Sequence, residues 1–325
     1  MLKFASIMTI PELIQRKGSK GFSIEVLPPL KGKGIDQLFA GIDSLKCFEP
    51  RYINITTHRS EMVYKSTADG LYQRVSERSR PGTVAVAAAL QQRYGIPAVP
   101  HIICSGYTKA ETEYALIDLR FLGITNLLVL RGDKARHDNR FIPNTGGHAH
   151  AVELQRQIND FNNGTFVDGT TMDSANDSPF SYGVAGYPEK HDEAPNRDID
   201  IAWLKNKIDN GAQYIVTQMF FDNDSYFSFV ERCRQSGITV PIIPGIKPIV
   251  TKGQLTVLPK VFHVDIPTDL ARAVMDCKDD VQAKEVGVEW MAMQMRGLYE
   301  AGVPSVHIYS LNATRSVEKA LRLVL

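Results

Sequence analysis

One repeating alternation restricts this chain more than any other feature. Apolar runs of five to seven residues recur eight times, each followed by polar loop residues and then by a segment of helical period. The runs are Phe22–Leu27, Tyr52–Thr56, Ala98–Cys104, Asn126–Leu130, Tyr182–Tyr187, Tyr214–Phe220, Val240–Pro244 and Ser305–Tyr309. They are rich in Val, Ile, Leu and Tyr, as strands buried on both faces of a parallel sheet must be. The intervening stretches carry helix signals. Thr108-Lys109-Ala110-Glu111 has the residues of a capping box ahead of Tyr114, Leu116, Ile117, Phe121 and Leu122. Asp198–Asn210 and Asp224–Ser236 close on Gly211 and Gly237, a common helix terminator. Eight strand–helix repeats predict an α/β protein, a single-domain (β/α)8 TIM barrel, and the 325 residues suffice for a fold that typically takes about 250. The competing architecture is a doubly wound open sheet. Gly32-Lys33-Gly34 lacks the third glycine of a dinucleotide-binding turn, which weighs against it.

Charge and cysteine usage exclude several classes of partner. Thirty-seven Lys and Arg balance 36 Asp and Glu, with no basic block, so no nucleic acid partner is expected. The longest apolar stretch, Val84–Leu90, is far short of the roughly 20 residues that span a bilayer, and no membrane association is expected. Met1–Met8 lacks a long apolar core, so no signal peptide is read there. Cys47, Cys104, Cys233 and Cys277 form no C-x-x-C pair, which disfavours a zinc ribbon or a disulfide scaffold and fits a cytoplasmic protein. Two connections are long. Residues 136–180 form an inserted loop with a helix over about Ala149–Phe161, then a polar tract that reads as a loop or short hairpin. Thr251–Val303 is predicted to hold two helices, the later one over about Ala283–Ala301.

In a barrel the C-terminal strand ends face the active site. Here nearly every such end carries hydrogen-bonding groups: Glu25, Thr56-Thr57-His58, His101, Arg131-Gly132-Asp133, Tyr187-Pro188-Glu189-Lys190-His191, Gln218, Lys247 and Ser310. Each alone has a structural explanation, such as an ion-paired Glu25 or a packing His101; together they describe a site. His148-Ala149-His150 follows Gly146-Gly147 and opens a helix instead of ending a strand, and no further ligands accompany it. No Gly-x-Ser-x-Gly elbow, phosphate-binding loop or His-Glu-x-x-His is present. A metal-free site with an organic cofactor is therefore expected.

Six motifs in order, Phe22-Ser23-Ile24-Glu25-Val26-Leu27-Pro28-Pro29, Pro100-His101-Ile102-Ile103-Cys104, Leu130-Arg131-Gly132-Asp133, Gly186-Tyr187-Pro188-Glu189-Lys190-His191, Gln218-Met219-Phe220-Phe221-Asp222 and Pro244-Gly245-Ile246-Lys247-Pro248, resemble the methylenetetrahydrofolate reductase family. The resemblance implies a bacterial-type catalytic barrel without the regulatory domain of eukaryotic members, assembled as a homo-oligomer. It implies FAD, with NADH or NADPH as co-substrate, reducing 5,10-methylenetetrahydrofolate to 5-methyltetrahydrofolate in a ping-pong cycle. By the same carry-over, Glu25 is the acid that protonates the folate, and its apolar neighbours are expected to raise its pKa by desolvation. Asp133 matches the family's catalytic aspartate beside the flavin pyrimidine and the pterin, whose negative charge would disfavour anionic reduced flavin and make it a stronger hydride donor. Gln218 and Gln254 match substrate-binding glutamines. FAD would be held by Thr56, His101, Leu130, Arg131, Gly132, Asp133, Ala151, Ala185, Tyr187, His191, Asp200 and Lys207. Three places depart from the family pattern. Leu311-Asn312-Ala313-Thr314-Arg315 stands for Leu-Asn-Arg, so Arg315 is the candidate folate-binding arginine; Thr57-His58-Arg59 replaces Tyr-Gly; Trp203 and Asn206 replace polar and basic groups. Another electron acceptor, or a flavin- or folate-binding module, are the alternative readings.

Overall fold

Eight parallel strands close on themselves in a computed structural model that describes residues 8–16, 20–135, 138–173, 178–311 and 313–325. In chain order the strands are β1 (Gly21–Val26), β2 (Ile53–Ile55), β3 (Glu61–Ser66), β4 (Tyr72–Glu77), β5 (Ala98–Ile103), β6 (Asn126–Leu130), β7 (Ser181–Gly186), β8 (Tyr214–Met219), β9 (Ile242–Ile246) and β10 (Ser305–Ile308). The barrel runs β1-β10-β9-β8-β7-β6-β5-β2, and β3 and β4 form a separate antiparallel pair. The helices are α1 (Ile10–Ile14), α2 (Asp36–Leu45), α3 (Thr83–Tyr94), α4 (Lys109–Phe121), α5 (Ala151–Asn162), α6 (Arg197–Asp209), α7 (Asn223–Gln235), α8 (Gln254–Phe262), α9 (Thr268–Met275), α10 (Asp280–Glu300) and α11 (Thr314–Val324). The predicted (β/α)8 barrel is therefore the observed fold. Capping explains a typical helix start: Thr108 Oγ1 accepts from the Glu111 N–H at 3.2 Å, and Glu111 reaches back to the Thr108 N–H at 2.8 Å.

Period-two alternation gives each strand two different faces. Phe22, Ile24 and Val26 of β1, with Ile53 and Ile55 of β2, pack outward against helix residues such as Leu45, Leu90, Leu116 and Leu321. The opposite parity turns inward. Val99, Leu128, Tyr214, Val216 and Ile243 fill the barrel with Tyr52, and Ile10, Leu13 and Ile14 of α1 pack beneath them. Further along the strands, that same inward parity carries Ser23, Glu25, Asn54, His101 and His307, all buried. An apolar plug thus supports a polar layer at the C-terminal end of the barrel.

Three elements differ from expectation. Between β2 and α3 the chain forms the β3–β4 hairpin, turned at Asp69-Gly70 with Gly70 at φ 79°. It has no apolar run because its residues are mostly exposed. The seventh barrel strand is β9, two residues later than Val240–Pro244. Its Pro244 has no N–H to give the ladder, and the register shifts there, between Val216 and Met219 of β8. The Thr217 hydroxyl takes up the pairing instead, accepting from the Gly245 N–H at 2.8 Å. Finally, Thr251–Val303 holds three helices where two were expected, because Pro267 separates α8 from α9.

Candidate active site

Glu25 is the carboxylate of the polar layer, only 7% exposed. Its Oε2 lies 3.4 Å from His307 Nε2 and 3.5 Å from His101 Nε2. The far side of the His307 ring is anchored, with Nδ1 2.8 Å from Ser23 Oγ. The Glu25 backbone is held as well, its carbonyl accepting from Ser310 Oγ at 2.7 Å and from the Leu311 N–H at 3.1 Å. The expected rise in the Glu25 pKa is not what the structure yields. Desolvation does push it up, but the His307 hydrogen bond and the charges of His101, His307 and His58 together outweigh that and hold the carboxyl below its usual range. The sequence reading counted the apolar neighbours, which point outward, and missed the imidazoles that face the carboxylate from other strands. Burial drives His101 down to about 4 despite the attraction of Glu25. Lys247, just past β9, is likewise buried and lowered by desolvation, with Glu25 opposing the shift.

The loop after β6 forms one wall. Asp133 acts electrostatically on both His58 and Tyr187, and His58 in turn feels Glu25, so these groups share one mouth. Ser105 Oγ donates to the Asp133 carbonyl at 2.6 Å and fixes the loop. Gly132 is required here: its φ is +81°, and a Cβ would stand 2.9 Å from Ser105 Cβ and 3.2 Å from Ile103 Cβ. Thr56, just past β2, lies 3.2 Å from His58 Nε2 through its Oγ1. Leu130 ends β6 and Ala185 lies on β7, both half-buried.

A second group of residues extends from this wall toward α5 and α6. Arg131 Nη1 and Nη2 bind the two Glu193 oxygens at 2.5 and 3.0 Å, and the guanidinium lies 4.9 Å from the Phe141 ring centroid. Tyr187 meets the His191 ring edge-on at 4.6 Å. The His191 N–H donates to Asp200 Oδ2 at 3.0 Å. Lys207, about two turns along the same face of α6 from Asp200, has its pKa lowered by desolvation, and among the described residues no carboxylate comes within ion-pairing distance of it. Ala151 opens α5. Two cations, one of them desolvated and unpaired, beside a glycine turn match what a dinucleotide pyrophosphate requires. The residues therefore fit FAD.

The proposed substrate ligands are less closely gathered. Gln218 lies on the inward parity of β8, next to Thr217, whose carbonyl accepts from Tyr309 OH at 2.7 Å; its own Oε1 accepts from the Met219 N–H at 2.9 Å. Gln254 caps its own loop, accepting from the Val250 N–H at 2.7 Å. Arg315 sits in the first turn of α11 with an exposed side chain and no polar partner among the described residues. Asn312 lies outside the described residues. His148, expected to open the helix, lies three residues ahead of α5, with its Nε2 2.6 Å from Gln157 Oε1. The residues missed from sequence are Ser23, His307 and Glu193. The first two could have been found, since a polar residue two positions from another within an apolar strand marks the inward parity.

Comparison with known proteins places the chain. The family model described as methylenetetrahydrofolate reductase matches residues 10–324. Methylenetetrahydrofolate reductase (NADH) 1 of Arabidopsis thaliana is 31% identical over 93% of this chain and 48% of its own length. Methylenetetrahydrofolate reductase 2 of Saccharomyces cerevisiae is 31% identical over 96% of this chain and 47% of its own length. The chain thus spans about half the length of these relatives, but 89% of the 5,10-methylenetetrahydrofolate reductase of Escherichia coli, at 29% identity. A solved structure from Clostridium thermocellum, described as an uncharacterized protein that binds two copies of 5-methyl-5,6,7,8-tetrahydrofolic acid, shares the fold with a TM-score of 0.53 at 15% identity, covering 95% of this chain and 96% of that one. With nearly its whole length matched by the family model, this chain belongs to the methylenetetrahydrofolate reductase family.

Proposed function

We propose that this chain reduces 5,10-methylenetetrahydrofolate to 5-methyltetrahydrofolate at the expense of NADH or NADPH, with FAD as bound cofactor and the two substrates taking turns at one site. The observation that carries the reading is Glu25: a carboxylate buried at the mouth of the barrel, ringed by proton-carrying side chains. Binding alone requires no such group. The relatives' names and the folate ligand of the Clostridium thermocellum protein agree with it.

The chemistry FAD supplies when bound is two-electron hydride exchange, from the nicotinamide and to the folate methylene carbon. That carbon is a poor acceptor while the imidazolidine ring is closed. Protonating N10 opens the ring to an N5 iminium, which accepts hydride readily. Glu25 supplies that proton from its protonated form, a minor population at neutral pH because the surrounding imidazoles hold its pKa down. Its O–H bond breaks, N10–H forms, and the electron pair stays on the carboxylate. General acid help of this kind is worth roughly 10²–10⁴-fold. Asp133 and Gln218 would orient the pterin, while Arg131 and Lys207 would hold the cofactor pyrophosphate. The test is rapid mixing of the flavin-reduced protein with methylenetetrahydrofolate. Reoxidation with formation of 5-methyltetrahydrofolate supports the assignment, and reoxidation only by other acceptors refutes it.

A further inference from the structure

One buried cation at the barrel mouth has no task in the reaction as proposed. The register sets Ile24 of β1, Ile308 of β10 and Ile246 of β9 side by side, and all three pack outward. The residues that follow them, Glu25, Tyr309 and Lys247, therefore continue the inward parity in one row. Lys247 is only 7% exposed, and among the described residues its ammonium has no hydrogen-bond or ion-pair partner. The Tyr309 ring forms the floor beneath it. Tyr309 OH donates to the Thr217 carbonyl at 2.7 Å, and a Cβ on Gly245 would stand 2.6 Å from Tyr309 Cε2. We propose that Lys247 is a specificity-determining residue that binds the α-carboxylate of the folate's glutamate. This rests on the proposed folate reduction and names one contact within that site.

Position and charge both select that group. In the ring of eight strands β9 lies opposite β5, so Lys247 stands across the mouth from His101 and the residues assigned to FAD. Its neighbours are the groups assigned to the folate. Glu25 is two strands away in one direction, Gln218 is on β8 in the other, and Gln254 opens α8. Two inter-strand steps put about 10 Å between the Lys247 and Glu25 backbones. Glu25 is assigned to N10, and the aryl ring and amide that follow N10 carry the glutamate roughly 8 Å further. Its α-carboxylate is the first anion on that path. Burial lowers the Lys247 pKa and Glu25 only opposes the shift, so the protein's own groups do not offset the desolvation. An arriving carboxylate supplies the missing partner. Arg315 is the rival cation, but its side chain is exposed and solvent screens it. The Lys252 ammonium is engaged by the carbonyls of Met275 and Cys277.

Calorimetric binding to flavin-reduced protein under nitrogen tests this, because reduced protein and a fully reduced folate exchange no hydride. Wild-type protein should bind 5-methyltetrahydrofolate about 10- to 100-fold more tightly than 5-methyltetrahydropteroate, which lacks the glutamate, as one charge-assisted hydrogen bond predicts. In Lys247→Met the two compounds should bind alike, and Lys247→Arg should restore part of the difference. Removing an unpaired buried cation should leave the fold intact, which thermal unfolding by circular dichroism checks. Rapid mixing gives a second readout. Flavin reoxidation in Lys247→Met should require a correspondingly higher concentration of methylenetetrahydrofolate, while the concentration dependence of reduction by NADH or NADPH stays in place. Equal binding of the two compounds by wild-type protein, a difference that survives in Lys247→Met, or one lost only in Arg315→Ala overturns the proposal. Weakened reduction by the nicotinamide does so too, since it puts the cation on the dinucleotide instead. Wild-type protein that binds neither compound refutes the folate reading itself, and this inference with it.

Discussion

Glu193→Gln isolates one interaction that faces both stability and cofactor binding. In the wild-type chain Glu193 fills the Arg131 fork with two parallel bonds of 2.5 and 3.0 Å. The side chains are 24% and 44% exposed, so solvent screens the pair, and its contribution belongs to the range of about 0.2–1 kcal/mol of exposed ion pairs. The hydrogen bond from Arg131 holds the Glu193 carboxyl below its usual range, burial opposing it. A depressed carboxylate stabilises the fold above its unfolded pKa and loses that stabilisation as pH falls through the folded value. Urea denaturation at neutral pH should therefore show the variant less stable by no more than about 1 kcal/mol, with the difference vanishing in acid. Flavin affinity should move the other way. The pyrophosphate assigned to Arg131 must displace Glu193, so removing that competitor should tighten FAD binding, by up to roughly fivefold for about 1 kcal/mol. Quenching of flavin fluorescence on titration into flavin-free protein measures this. Unchanged or weaker binding would refute the assignment of Arg131 to the cofactor.

Two further substitutions test the frame that holds the site. Gly287 of α10 packs so closely that an added Cβ would lie 1.9 Å from the Ile249 carbonyl oxygen. Gly287→Ala should destabilise by about 1–3 kcal/mol in urea denaturation, since backbone must move and the helix-propensity gain of about 1 kcal/mol is smaller than a full clash. Thr108→Ala removes one half of the α4 capping box and should cost about 1 kcal/mol by the same measurement, with the fold intact by circular dichroism.

The barrel was legible because outward-facing apolar residues recur on every strand and helix caps separate them, as at Thr108 and Asn196. What escaped was local chemistry without an apolar signature. The β3–β4 hairpin, with Tyr64 and Tyr72 largely exposed, carries none. The bulge opposite Pro244 depends on two strands at once. Glu25 was found, yet the direction of its pKa was misjudged, because desolvation can be read from sequence neighbours whereas His101 and His307 come from strands 76 and 282 residues further along. Arg131 was assigned to FAD without sight of its partner Glu193, which lies 62 residues away.

The acid role of Glu25 is the claim on which the functional account turns, and separating the two half-reactions in Glu25→Gln protein tests it most directly. Stopped-flow flavin absorbance should show reduction by the nicotinamide largely intact. Reoxidation by methylenetetrahydrofolate should be slowed by about 10²-fold or more. Equal loss in both half-reactions, or reoxidation at the wild-type rate, would contradict it.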